Sequence, residues 1–145
     1  MTTLVPQQMI AGGPAFSAYQ SSAQTPSAGT WTKIQFQTKE FDTNSNFDSV
    51  TNYRFTPTVA GYYQVNSACG QNGAAIGSYI SLYKNGSQFK TGASSNASFL
   101  NMVSALIYFN GTTDYVESYV YQGTSTTLTT GVSACYFQAF LARTA

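Results

Sequence analysis

The chain has 145 residues, of which 43% are hydrophobic, 15% are aromatic and 8% are charged. That length fits one domain with a substantial core, and the aromatic content excludes a disordered tail. The six basic residues are scattered and leave a net charge of +1, so no basic patch for nucleic acid is expected. No apolar run reaches the about 20 residues of a membrane helix, and the N-terminal region lacks the pattern of a signal peptide.

The sequence is poor in residues that carry out catalysis. It contains no histidine, which excludes imidazole acid–base chemistry and the usual serine or cysteine triads. Glu40 and Asp42 would share a face if extended, but carboxylates in a polar loop are usually just solvated, and Asp114 is expected to stabilise a turn. Cys69 and Cys135 are too few for a disulfide scaffold or a zinc site and are expected to be buried thiols. The chain is therefore predicted not to be an enzyme and to need no cofactor or metal ion.

Strand signals run through the chain, and no stretch has a convincing helical period. Residues 15–19 form a short predicted strand, followed by a loop rich in Ser, Pro and Gly. Residues 30–37 alternate cleanly, which places Ile34 and Phe36 together on one side. The segment 41–48 is expected to be a loop or a ragged edge strand.

The middle of the chain predicts two further strands separated by a bend at Ala60-Gly61. Residues 53–58 form a strand that Pro57 interrupts, because proline cannot donate a hydrogen bond to a neighbouring strand. Residues 62–69 alternate again. The side chains expected to share one face of that strand are Tyr63, Val65, Ser67 and Cys69.

A tight hairpin is predicted after the next strand, residues 78–84. Asn85-Gly86 is the dipeptide that most favours a two-residue turn, since both central positions need a positive φ. A short strand around 88–91 is expected to pair back across this turn.

Two later segments, 98–109 and 133–143, are apolar on both faces. A helix would suit the length of 98–109, but the Asn110-Gly111 turn and the strand 114–122 favour a hairpin. In a sandwich of two antiparallel sheets, a strand should be apolar only on the face toward the core. The second faces therefore need a cover, and another copy of the same chain is the economical one. The side chains predicted to form this subunit interface are Leu100, Met102, Leu106, Tyr108, Tyr136 and Phe140.

The chain has eleven tyrosines, and three of them alternate along 114–122. Tyr115, Tyr119 and Tyr121 would lie on one face of that strand. Amphipathic aromatic side chains are favoured at binding surfaces, so these three form a candidate surface for a carbohydrate or a receptor. Ordinary sheet packing is the alternative, because tyrosine is a favoured strand residue.

The predicted strands number about eight to ten, the size of an all-β jelly roll built from two antiparallel sheets. The segment FTPTVAGYYQV (55–65) resembles the central signature of the complement C1q globular-head family, with a phenylalanine before the glycine and an aromatic residue after it. The resemblance extends over residues 15–143. Other segments that are similar to the family, in the same order, are 15–19, 82–88, 114–122 and 137–143.

The resemblance implies a jelly roll of about ten strands, akin to tumour necrosis factor, that forms compact homotrimers. In such trimers one sheet packs around the threefold axis, and here that sheet would contain 15–19, 62–69, 98–109 and 133–143. The same layout implies that Cys69 and Cys135 lie near each other on adjacent strands. We expect both thiols to stay reduced, since direct cross-strand neighbours tend to be poorly placed for the relaxed geometry of a disulfide.

The segments IAGGPAFSAY and TWTKIQFQTKEFDTNSNFD also resemble complement-type heads of bacteriophage virion and tail-fibre proteins. They imply a structural protein at the virion surface, which decorates or cements the phage particle and binds itself and other virion proteins. The alternative is the receptor- or glycan-binding tip of a phage tail fibre, or a bacterial adhesin. In both cases residues 15–145 form the jelly-roll domain and residues 1–14 an N-terminal docking arm. The apolar anchors expected in that arm are Leu4, Val5, Met9 and Ile10.

Overall fold

A computed structural model of the chain describes residues 12–73, 76–95 and 100–145, with only the backbone at 93–95. All of the regular structure in these ranges is β-strand. The described residues contain no helix that is long and apolar enough to cross a membrane. The strands are β1 (Ala15–Tyr19), β2 (Thr32–Lys33), β3 (Thr38–Asp42), β4 (Phe47–Asp48), β5 (Arg54–Phe55), β6 (Gly61–Cys69), β7 (Gln71–Asn72), β8 (Ser78–Lys84), β9 (Ser87–Ser95), β10 (Asn101–Phe109), β11 (Val116–Tyr121), β12 (Thr127–Leu128) and β13 (Cys135–Thr144).

The strands form two large antiparallel sheets with the core between them. The five-stranded sheet has the order β10-β6-β13-β1-β3. The six-stranded sheet has the order β4-β5-β11-β8-β9, with β2 beside β11, and a small third sheet pairs β12 with β7. The predicted all-β sandwich is therefore confirmed. The five-stranded sheet contains strands from all four segments that were predicted to share a sheet, namely 15–19, 62–69, the described part of 98–109, and 133–143.

The core is built on phenylalanine rings from both sheets. Phe16 of β1 stacks on Phe47 and Phe55 of the opposite sheet, with ring centroids 4.6 and 4.5 Å apart. Phe137 of β13 meets Phe16 edge-on at 5.1 Å. The alternation predicted for 62–69 is confirmed, since its four inward side chains are all buried. One of them, Ser67, shares a 2.8 Å hydroxyl–hydroxyl hydrogen bond with Ser118 across the sandwich.

Segment 30–37 alternates as predicted but pairs as a strand over only two residues. Ile34 and Phe36 are fully buried. The pairing with β11 ends early because the backbone N–H of Gln35 donates to the side-chain oxygen of Gln24 at 3.0 Å instead of to a neighbouring strand. The alternation of side chains thus survives where the strand-to-strand ladder does not.

The segment predicted as a loop or ragged edge, 41–48, contains the end of β3, a turn and β4. The Asp42 carboxylate fixes the turn by accepting hydrogen bonds from the backbone N–H groups of Asn46 and Phe47, both at 3.0 Å. Further along, β9 extends well beyond the predicted 88–91. In the same sheet, β5 is shorter than predicted and ends two residues before Pro57.

The Asn85-Gly86 hairpin turn is confirmed, with φ values of 52° and 80° at its two central residues. Asp114 stabilises it, as predicted for that carboxylate. It accepts hydrogen bonds from the Asn85 side chain at 2.8 Å and from the Asn110 backbone at 3.0 Å, and it pairs with Lys84 at 3.1 Å. The hydrogen bond from Asn85 is the main cause that lowers the pKa of Asp114.

The two cysteines are direct partners on β6 and β13, which confirms their predicted proximity. Both are buried, and their sulfur atoms lie 2.8 Å apart. Burial raises the pKa of the Cys69 thiol well above its usual value, so the nucleophilic thiolate is scarce.

We predict that Cys69 and Cys135 stay reduced, because a buried neutral thiol reacts slowly. Thiol titration of protein unfolded without reductant should find two free groups per chain. The same titration after treatment with reductant gives the reference value. Finding no free thiol before reduction would contradict the prediction.

Candidate assembly surface

Strand β10 has two apolar faces, and only one of them meets the core. Val103, Ile107 and Phe109 are buried. The alternate residues Met102, Leu106 and Tyr108 remain 49%, 57% and 43% exposed. Because successive side chains of a strand point to opposite faces, these three lie on the side of the sheet away from the core. The second apolar face predicted from 98–109 is therefore present and uncovered in the protomer.

The strand register extends this exposed face over β6 and β13. Leu106 lies opposite Gln64, and Gln64 lies opposite Phe140 on its other side. In the same way, Met102 and Tyr136 both face Ala68. Phe140 is exposed and Tyr136 is half-buried. The structure thus brings four predicted interface residues of two distant segments together across the central strand.

The other predicted interface residues adjoin this group. Tyr108 lies opposite Tyr62 of β6, and their ring centroids are 5.4 Å apart. Leu100 directly precedes β10 and is exposed.

Tyr62 was missed by the sequence analysis, although the alternation of 62–69 places it on the face opposite the core-facing residues. Phe41 was also missed. It is exposed and pairs with Ser17, and Ser17 in turn pairs with Gln138, so Phe41 extends the same face to the sheet edge.

We call this surface the apolar face. It contains seven of the twelve exposed large hydrophobic side chains in the described parts of the chain, so the exposed apolar area is concentrated on one side of one sheet. A monomeric protein rarely exposes so continuous a patch. Its residues are Phe41, Tyr62, Leu100, Met102, Leu106, Tyr108, Tyr136 and Phe140.

A short polar cluster crosses the middle of the apolar face. The Gln64 amide donates to the Ser104 hydroxyl at 2.9 Å, and that hydroxyl donates to the Asn66 carbonyl oxygen at 2.7 Å. Gln64 also donates to Asn66 at 3.1 Å. Because these side chains already bond to one another, covering them costs less than burying side chains that have no polar partner.

A depression of about 480 Å³ lies at one end of the apolar face, next to Leu106 and Tyr62. The rest of its lining comes from the end of β13 and the last residue, Ala145. The backbone N–H of Ala145 donates to the carbonyl oxygen of Ala60 at 3.2 Å, which holds this end of the chain in place. A hollow beside protruding apolar side chains suits interlocking with another protein surface.

All five acidic residues are engaged in structural contacts. The Asp48 carboxylate accepts three backbone hydrogen bonds from the turn that follows it, and those to Thr51 and Val50 do most to lower its pKa to about 2. No cluster of three or more metal-binding side chains occurs among the residues that the structure describes. The partners of the other acids are Ser17 for Glu40, Lys39 for Asp42, Lys84 for Asp114 and Lys33 for Glu117.

The tyrosines predicted as a ligand surface lie on the six-stranded sheet, away from the apolar face. Tyr119 stacks on Tyr83 with a centroid distance of 4.0 Å. The ring centroid of Tyr121 lies 5.6 Å from that of Trp31 and 5.9 Å from that of Tyr79. Sequence analysis missed these three partners, because their approach depends on how the strands pair.

The third predicted tyrosine, Tyr115, has a different neighbour. The guanidinium group of Arg54 lies over its ring at 4.3 Å from the centroid. Tyr115 therefore takes part in a cation–π contact.

The anchors predicted for the docking arm, Leu4, Val5, Met9 and Ile10, lie outside the described residues. The description begins at Gly12, whose φ of 118° suits glycine. Pro14 is buried, and its carbonyl oxygen accepts a hydrogen bond from the Leu141 N–H at 3.0 Å. By these contacts Pro14 belongs to the folded body.

Comparisons with known proteins found no matching family model and no matching curated protein. Solved structures do match. The globular domain of zebrafish complement 1qA is 19% identical with a TM-score of 0.66, over 92% of this chain and 100% of that one. The Eiger TNF of S. frugiperda is 8% identical with a TM-score of 0.71, over 92% and 94%.

The PRD1 phage vertex protein is also similar, at 17% identity and a TM-score of 0.67, over 90% of this chain and 97% of that one. All three matches span nearly the whole of both chains, so they concern the complete sandwich. The chain therefore has the jelly-roll fold of complement globular heads, a fold that it shares with a TNF protein and a phage vertex protein.

Proposed function

We propose that the chain is a non-enzymatic structural protein of a phage particle, which forms a homotrimer through the apolar face and decorates or cements the virion surface. The observation that carries the proposal is the uncovered apolar face, with Leu106 and Phe140 at its centre. The fold of a phage vertex protein supports the location on a virion.

A second copy of the same chain is the occupant that best fits the apolar face. The protein has few charges, and the ion pairs Lys33–Glu117 and Lys84–Asp114 belong to the other sheet. The ion pair of the five-stranded sheet, Lys39–Asp42, lies on its edge strand β3, and Arg143 lies at the end of the apolar face, so the centre of the face is uncharged. Each exposed apolar side chain that becomes covered contributes about 1 kcal/mol or more. When one patch packs on a different patch of the next copy, a closed ring results if the rotation closes. The resemblance to complement heads favours three copies.

The docking arm is proposed to attach the trimer to another virion component. Because Pro14 is bound to the folded body, a clean truncation removes residues 1–11 only. We expect this truncation to shift the thermal midpoint by no more than about 4 °C, the change that about 1 kcal/mol causes in a domain of this size. Binding to particles should fall sharply, since a trimer loses three arms at once.

Co-sedimentation of the truncated protein with particles that lack it tests this prediction. A full-length variant with Leu4, Val5, Met9 and Ile10 changed to serine keeps the length of the arm but removes its apolar anchors, and it should bind as poorly as the truncation. If the truncated trimer decorates particles as well as the full-length protein, attachment runs through the jelly roll and the role proposed for the arm is wrong.

The receptor-binding alternative draws support from the aromatic side chains on the six-stranded sheet, including Tyr119 and Tyr121. A tail-fibre tip and a capsid decoration differ in position on the particle. Gold-labelled antibody against the chain, viewed by electron microscopy, should label the capsid shell if the decoration proposal is right. Labelling confined to fibre tips would favour the alternative.

A further inference from the structure

Five aromatic rings form a continuous row on the six-stranded sheet, and we call them the aromatic row. Starting from Tyr79, the centroid distances are 5.9 Å to Tyr121, 5.6 Å from Tyr121 to Trp31, 6.0 Å from Trp31 to Tyr83 and 4.0 Å from Tyr83 to Tyr119. The rings come from β8, β11 and the residue before β2. The row belongs to the sheet opposite the apolar face, so covering the apolar face leaves it accessible.

One end of the row borders a depression of about 490 Å³, lined by Trp31, Tyr79, Tyr121, Ile76 and two glycines. The backbone N–H of Gly123 donates to the carbonyl oxygen of Ile76 at 2.9 Å, so two backbone segments meet there. A side chain at position 123 would collide with that carbonyl oxygen, which only glycine avoids. The depression therefore combines aromatic walls with closely packed backbone.

The lining of this depression is uncharged. Three polar groups belong to its rings: the indole N–H of Trp31 and the hydroxyls of Tyr79 and Tyr121. The depression thus offers apolar ring surfaces and hydrogen-bonding groups without a net charge.

This combination matches the chemistry of a neutral sugar. A pyranose ring has an apolar face of C–H groups, which stacks on aromatic rings, and an edge of hydroxyl groups, which exchange hydrogen bonds with phenol and indole groups. An acidic polysaccharide would need basic side chains, and the lining has none. A row of several rings suits a chain of sugars better than a single one.

We infer that the aromatic row is a binding site for a neutral polysaccharide, whose sugar rings stack on Trp31, Tyr79 and Tyr121. The inference goes beyond the structural function proposed above, because the site belongs to each protomer and needs neither the docking arm nor the apolar face. A failure to bind sugar would therefore leave the proposed trimer and its attachment to particles unaffected. Failure of the trimer or of its attachment would likewise leave the sugar site unaffected.

Trp31 is the only tryptophan in the chain, so its fluorescence reports on this site alone. The full-length protein is titrated with three neutral oligosaccharides, cellohexaose, maltohexaose and chitohexaose. We expect a saturable change in tryptophan emission with at least one of them, since stacking of a sugar changes the surroundings of the indole. An oligomer of galacturonic acid, which is negatively charged, should cause no saturable change.

Variants separate a sugar site from general effects on the protein. Tyr121→Ala should weaken binding about tenfold, the size expected for one lost aromatic stacking contact. Phe89→Ala is the matched control, because Phe89 is an exposed aromatic residue of the same six-stranded sheet that lies outside the aromatic row, and the affinity of this variant should equal that of the unmodified protein. If Tyr121→Ala does not fold, Tyr79→Ala serves in its place, since Tyr79 is the most exposed ring of the three.

Two results would overturn the inference. The first is the absence of a saturable change with all three neutral oligosaccharides, including the case in which only the acidic oligomer binds. The second is a change that Tyr121→Ala and Tyr79→Ala leave with the same midpoint as the unmodified protein.

Discussion

Leu106→Asp is expected to convert the proposed homotrimer into a folded monomer. Leu106 is 57% exposed in the protomer, so an aspartate there meets water and leaves the protomer fold unchanged. In the proposed trimer the same carboxylate would be covered by a neighbouring copy, and an unpaired buried charge costs several kcal/mol. Size-exclusion chromatography with light scattering should give the mass of one chain, and circular dichroism should show the β-rich spectrum of the unmodified protein.

Val50→Asp is the matched control for this substitution. Val50 is the most exposed large hydrophobic residue of the described chain, at 78%, and it lies outside the apolar face. Aspartate at this position introduces the same charge, and we expect the trimer to persist. If Leu106→Asp remains a trimer, or if Val50→Asp dissociates it as well, the apolar face is not the subunit interface.

Phe16→Ala is expected to lower the stability of the protomer by about 3–5 kcal/mol, the usual cost of removing a buried phenylalanine ring. Phe16 is fully buried and contacts the rings of Phe47, Phe55 and Phe137, which belong to both sheets. Its loss leaves a cavity where the two sheets meet. The thermal midpoint should fall by roughly 12–20 °C.

The measurement is best made in the Leu106→Asp background, because unfolding of a monomer does not depend on protein concentration. Phe89→Ala is the matched control. Phe89 lies on β9 and is 46% exposed, so removal of its ring should cost less than about 1 kcal/mol. Equal midpoints for the two variants would contradict the account of the core.

Local alternation in the sequence was enough to predict both faces of several strands. The burial of Tyr63 and Val65, and the exposure of Met102 and Leu106, follow from the two-residue period of a strand. The hairpin at Asn85-Gly86 follows equally locally, since few residues tolerate positive φ at both positions. These features need no knowledge of which strands are neighbours.

Features that depend on strand pairing could not be predicted from alternation. Trp31, Tyr79 and Tyr121 come from three separate segments, which become neighbours only because β2 and β8 pair with opposite sides of β11. The early end of β2 has a similar origin, because it depends on a hydrogen bond from Gln35 to the side chain of Gln24. The cysteine pair was placed by family resemblance rather than by spacing.

The mass of the full-length protein at micromolar concentration, measured by sedimentation equilibrium, tests the central claim most directly. If the apolar face joins three copies, the measured mass should be three times the 15.6 kDa of one chain and should not change on dilution through this range. A folded protein with the mass of one chain would show that the apolar face is left uncovered, and it would contradict the proposed trimer.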